Sequence, residues 1–164
     1  MAWSACNKMD KLWKSSLNRQ IKIRLFRATI EPILLYGSET WKLSARQHHR
    51  LDGCYTRLLR RVLNMSWKSQ PSLKDIYGDL PRISSLVRKR LVQFAGHCAR
   101  ASDELISSVV HWRHPSLHRR SRKLTFPDII SRDTAIPKED LLTAMTNREY
   151  WKGVVNSISA EAAK

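Results

Sequence analysis

Apolar residues recur along this chain at intervals of three and four, the period at which one side of an α-helix faces a core. The first run, from about Trp3 to Lys14, places Trp3, Cys6, Met9 and Trp13 on one face and stops at the polar pair Ser15-Ser16. The next, from about Leu17 to Ile30, is apolar on two sides, with Leu17, Ile21, Leu25 and Ala28 on one and Ile23, Phe26 and Ile30 on the other. Such a helix needs packing partners on both sides. Pro32 is expected to kink or interrupt the chain, and the apolar run Ile33 to Tyr36 to end at Gly37. Ser44, with Gln47 three residues on, has the form of a capping box for a helix to about Leu63. There Leu51, Tyr55, Leu58 and Val62 make a core stripe, while Arg46, Arg50, Arg57 and Arg61 share an arc of about 60° on the other side at about 100° per residue.

Further on, a linker with Ser66, Ser69, Gln70 and Pro71 leads to a short helix that Ser72 and Asp75 can cap. Pro81 opens a long helix to about Arg100, with Ile83, Val87, Leu91, Phe94 and Cys98 as its core face. Pro137 suits the first turn of a helix holding Leu141, Leu142 and Met145, and Thr146 with Glu149 makes a second capping box ahead of Tyr150, Trp151, Val154 and Val155. Few Gly and Pro interrupt these runs, so the expected class is mainly α, without internal repeats.

Charge changes the picture from a plain helical domain to one with a polyanionic partner. Thirty Lys and Arg stand against 14 Asp and Glu, a formal +16, well beyond what solubility alone asks of a small domain. The hydrophobic content of 42% and the six Trp argue against a disordered basic tail, because such tails lack the residues that offset chain entropy. From Asp128 onward acids and bases nearly balance. Between Glu104 and Asp128 there is no acid at all, while Arg113, Arg119, Arg120, Arg122 and Lys123 accumulate. The longest apolar run, Ile30 to Tyr36, contains Glu31 and Pro32 and is too short to span a membrane. The first residues form no signal-peptide core. Cys6, Cys54 and Cys98 are therefore expected as reduced thiols in a nuclear or cytoplasmic protein.

A basic face is open to three readings: phosphate contact, an anionic membrane surface, or simple solvation. Arginine dominates here, and its rigid fork of donors matches phosphate oxygens, whereas a face selected for solubility would mix in Glu and Lys. A lipid-binding helix would be more self-contained and amphipathic. Phosphate contact is preferred, with Arg46, Arg50, Arg57, Arg61, Arg119, Arg120, Arg122 and Lys123 as the candidate residues. Most aromatics lie at core spacing; Trp67 and Trp112, beside polar or basic linkers, are the better candidates for stacking on bases. His111, His114 and His118, with His97 or Cys98, superficially suggest zinc, but the spacing is irregular, no Cys-x-x-Cys pair exists and Arg119 and Arg120 oppose a divalent cation. No cofactor is expected. Two-metal phosphoryl transfer needs clustered carboxylates, and the chain holds neither Asp-Asp nor Asp-x-Asp. Glycine-rich phosphate loops and nucleophile motifs are also missing.

Specific strings add a resemblance. Arg24-Leu25-Phe26-Arg27-Ala28-Thr29-Ile30 running into Leu35-Tyr36-Gly37-Ser38-Glu39-Thr40-Trp41 resembles the segment after the palm of non-LTR (LINE-type, especially RTE-like) retrotransposon reverse transcriptases. Leu51-Asp52-Gly53 with Arg57-Leu58-Leu59-Arg60, then Tyr77-Gly78-Asp79-Leu80-Pro81, then Arg90 through Phe94-Ala95-Gly96-His97-Cys98 continue it in order. Leu141 to Met145, Arg148 and Trp151 are similar to the C-terminal end of those proteins. One departure is Arg122-Lys123-Leu124-Thr125, where relatives tend to have a Gly-Arg-Pro turn. The resemblance implies a thumb-like helical region over 1–66, a basic helical region with a basic loop over 67–127 and a helical tail over 128–164. It also implies a non-catalytic part of an RNA-directed DNA polymerase, whose catalytic palm and endonuclease lie outside this chain, with RNA, DNA or an RNA–DNA hybrid as partner. The alternative reading is an interaction protein that self-associates through bare apolar faces, or a non-functional relic.

Overall fold

The computed structural model describes residues 1–101 and 125–161. Among them are nine α-helices and no strand: α1 (Ala2–Lys8), α2 (Asp10–Trp13), α3 (Arg19–Leu34), α4 (Ala45–Val62), α5 (Leu73–Tyr77), α6 (Ile83–Ala99), α7 (Phe126–Thr134), α8 (Leu141–Thr146) and α9 (Arg148–Glu161). The mainly α class follows. The chain divides into two compact units, the first made of Met1–Ser38 and Leu43–Ser84, the second of Glu39–Lys42 and Ser85–Lys164.

In the first unit α1, α3 and α4 pack on one another, and α2 and α5 pack against α4. Their shared core holds Cys6, Trp13, Phe26, Ile30, Tyr55, Leu58, Leu59, Val62 and Ile76. The Tyr55 ring meets Phe26 edge-on, with centroids 5.4 Å apart, and lies 5.9 Å from Tyr77. Three polar groups drawn into this core are paired: Trp13 Nε1 donates to the Cys6 carbonyl, the buried Lys22 Nζ donates to the Trp13 carbonyl at 2.6 Å, and Tyr55 Oη donates to Glu31 Oε2 at 2.7 Å. Burial, followed by the nearby Glu31 charge, pushes the Tyr55 phenol far above its usual range.

Several sequence expectations need correction here. The first helix is two pieces that meet at Met9, and Trp3 is 39% exposed, so only Cys6 and Trp13 of its expected face are buried. Pro32 does not interrupt its helix, because α3 runs on to Leu34 and the Leu35 amide bonds the Glu31 carbonyl. Proline removes one donor, and the Ala28 carbonyl it deprives lies on an exposed side, where solvent can satisfy it. Of the two apolar sides of α3, the one with Phe26 and Ile30 is buried; Ile21, at 41% exposure, and Ala28 on the other are not.

The second unit is built around Leu91, Val92 and Ala95 of α6, Ile129 and Ile130 of α7, Leu141 and Met145 of α8, and Trp151, Val155 and Ile158 of α9. Phe94 of α6, expected on its core face, is only half-buried, and Leu142 of α8 is 48% exposed. Pro137 lies in a turn, closed by the Asp140 amide on its carbonyl, and α8 starts only at Leu141. Nor does Thr146 cap α9: it ends α8, and Asn147 Oδ1 accepts the Tyr150 amide at 3.1 Å instead. Helix α7 escaped the sequence reading. Its capping box, Thr125 with Asp128, has the usual spacing but directly follows the basic run, and its C-cap is the left-handed Ala135 (φ 57°) where glycine would have signalled a stop.

Asp128 has a pH-dependent role in this unit. Burial opposes its ionisation, but the hydrogen bonds from Lys138 and from the Thr125 hydroxyl and amide outweigh that and hold the carboxyl at about 2, below its ordinary 3.8. Because the folded value is the lower one, the stabilisation is complete above the unfolded value and is lost as pH falls through the window from 3.8 to about 2. Replacing Asp128 by Asn should lower stability by about 1–2 kcal/mol at neutral pH, after allowance for partial screening. Denaturant titrations should show that deficit shrinking steadily as pH falls through this window. An equal deficit at neutral and strongly acid pH would refute the assignment.

Candidate nucleic-acid interface

Helix α4 has a complete capping box, in which the Ser44 amide donates to Gln47 Oε1 at 2.8 Å and Ser44 Oγ accepts the Gln47 amide. This fixes where the helix starts and so which side each later residue faces. Tyr55, Leu58, Leu59 and Val62 are fully buried and Leu51 is half-buried. The opposite side carries Arg46, Arg50, Arg57 and Arg61, all exposed. A core stripe on one side thus holds a row of guanidinium groups to solvent on the other.

The four arginines are not equivalent. Arg61 Nη2 donates to Asp10 Oδ1 at 3.0 Å, and Asp10 also holds Lys14 at 2.6 Å. The Lys14 hydrogen bond, with the charges of Lys14 and Arg61, keeps the Asp10 carboxyl below its usual range. Arg57 folds along the helix, its Nε donating to the Gly53 carbonyl at 3.3 Å. Arg46 and Arg50 make no hydrogen bond or ion pair with the described residues. Arg60, next to this row, is half-buried and bonds the Ser66 carbonyl beyond the helix end. Arg61 is thereby committed within the fold, whereas Arg46, Arg50 and the guanidinium end of Arg57 remain presented outward.

Most acids that could neutralise this face are engaged elsewhere. The first unit holds fifteen Lys and Arg but five Asp and Glu. Glu31 is buried on Tyr55, Asp52 accepts the Ser84 amide and hydroxyl at 3.0 and 2.9 Å at the start of α6, and Asp75 closes the capping box of α5 on Ser72. Asp10 is held by Lys14 and Arg61. The excess positive charge therefore faces solvent largely uncompensated.

Arg119, Arg120, Arg122, Lys123 and Trp112 lie outside the described residues, as do His111, His114 and His118. Cys98 is buried and burial pushes its thiol up, while its neighbour His97 is exposed, so the two face different surroundings. Among the described residues no group of three or more His, Cys, Asp or Glu could hold a metal ion, and no helix is long and apolar enough to cross a membrane.

The chain is similar to a transposon-derived protein of Caenorhabditis elegans, 29% identical over an alignment of 120 residues that covers 68% of this chain and 43% of that protein. It thus matches less than half the length of this relative. No protein-family model matches the chain. No solved structure matches it.

Proposed function

We propose that the chain is a nucleic-acid-holding part of a non-LTR retrotransposon reverse transcriptase, lying after the polymerase palm, and that it binds RNA, DNA or their hybrid by its phosphate backbone without performing chemistry itself. The observation that carries this reading is the exposed row Arg46, Arg50 and Arg57 on α4, in a unit whose acids are mostly engaged internally. The similarity to a transposon-derived protein supports the mobile-element origin, and the ordered strings from Arg24 to Trp151 support the finer family reading. Arg119, Arg120, Arg122 and Lys123 extend the proposed contact. Nuclear or cytoplasmic residence and a thumb-like role for 1–66 belong to the same proposal, as do the basic region 67–127 and the tail 128–164.

Binding of mixed-sequence duplex and single-stranded oligonucleotides across a salt series tests this. Affinity should fall steeply, with log affinity against log salt declining by about 0.9 per phosphate contacted on duplex DNA and about 0.7 on single strands. Base sequence should matter little, because phosphate contacts position without reading bases. Affinity independent of salt, or none at low salt, would overturn the proposal. A second reading, self-association, is favoured by the exposed apolar residues of and after α3, Ile21, Ile33 and the 85% exposed Tyr36. Gel filtration distinguishes it, since that reading requires a concentration-dependent oligomer that forms without nucleic acid.

A further inference from the structure

Gly53 sits in the interior of α4, three residues after Arg50 and four before Arg57, next to the arginine row on the helix surface. An interior helix glycine costs roughly 0.5–1 kcal/mol relative to alanine, a cost that a packing, turn or close-approach role can offset. None is visible inside this protein. Gly53 is exposed, a Cβ built on it would meet no atom within 4 Å, and its φ is not one that requires glycine. Gly96 on α6 is the contrasting case, where a Cβ would overlap the Trp151 ring, whereas Gly153 on α9 is as open as Gly53 but has Glu149, Tyr150, Asn156 and Ser157 rather than arginines three and four residues away. Gly53 leaves a bare stretch of backbone bordered by Arg46, Arg50 and Arg57, and Arg57 Nε lies over its carbonyl at 3.3 Å.

We infer that Gly53 is the point of closest approach of a nucleic-acid backbone to α4. The missing side chain lets the sugar-phosphate chain touch the helix surface while the flanking arginines reach its phosphates. The inference rests on the proposed nucleic-acid binding and adds to it a steric element that charge alone does not require. Complementary charge selects this occupant over an apolar one, because any partner seated on Gly53 also lies within reach of Arg46, Arg50 and Arg57.

The test compares the full chain with its Gly53→Ala and Gly53→Leu variants, using one short mixed-sequence DNA duplex over a salt series. Both replacements are better helix formers than glycine, so thermal unfolding followed by circular dichroism should show the variants at least as stable as the parent. Affinity should nevertheless fall, about three- to tenfold for Ala and further for Leu, with the salt slope unchanged because no cation has been removed. Parent and variants binding equally, with the steep slope intact, would overturn the role of Gly53 and leave the arginine reading standing. A reduced slope in the variants would also overturn it, since the arginines would then have been disturbed. If the parent itself bound without salt dependence, the underlying reading would fail first, and this inference with it. A changed oligomeric state with unaltered DNA affinity would assign Gly53 to a protein contact and overturn the inference.

Discussion

Replacing Arg46, Arg50 and Arg57 together by Gln is expected to weaken duplex DNA binding on the order of a hundredfold at about 0.15 M salt, and to reduce the salt slope by about 2.7. Both figures follow from three phosphate contacts at about 0.9 each. The loss should be alike for every sequence tested, because the lost contacts carry no base information. Helicity should persist, since the buried side of α4, Tyr55, Leu58, Leu59 and Val62, is untouched. Arg61→Gln provides the internal comparison. Its guanidinium is held by Asp10, so its removal should flatten the slope less than removal of Arg46 or Arg50. A triple variant that retains the parental slope would show the row to be solvated surface and favour the self-association reading.

The largest stability effect is expected at Trp151. This ring is 2% exposed, sits among Leu91, Val92, Ile130 and Met145 in the core of the second unit, and donates its Nε1 proton to the Val92 carbonyl at 3.0 Å. Trp151→Ala should cost about 3–5 kcal/mol, combining lost burial with the cavity left behind. Gly96→Ala perturbs the same contact from the other side, because the added Cβ would overlap the ring edge. The ring has no room to retreat in a packed core, so a cost of about 1–3 kcal/mol should outweigh the alanine's better helix propensity. Urea titrations followed by circular dichroism should show both variants unfolding at lower denaturant, Trp151→Ala first. A parental midpoint for either would mean that the α6 and α9 packing is not what holds this unit together.

Local signals were legible wherever cause and effect lie within one turn of helix. The capping boxes at Ser44 with Gln47 and at Ser72 with Asp75 are closed within four residues, and both form as their spacing predicts. The same holds for the core side of α4, where a periodic stripe identifies Tyr55, Leu58 and Val62, although Leu59 joined them because α4 is packed against by several helices. Where neighbouring residues compete for one local role, spacing could not decide. Thr146 and Asn147 both precede an apolar run, and the hydroxyl of Thr146 instead bonds the Thr143 carbonyl, leaving the cap to Asn147.

For the candidate site, the arginine row was legible because helical period alone puts Arg46, Arg50, Arg57 and Arg61 on one side. Which of them stays available was not. That depends on Asp10, fifty-one positions before Arg61, and on Asp52, Glu31 and Asp75 being engaged elsewhere. Gly53 was plain in the sequence, but only the empty space around it separates it from a packing glycine such as Gly96. The sequence by itself thus determined the helical class, the start of α4, its two-sided character and the excess of positive charge, since these follow from period, capping and composition. Tertiary structure alone decided which apolar side of α3 is buried, which arginine is tied down and which glycines face open space, because these depend on groups distant in the chain and no local pattern encodes that distance.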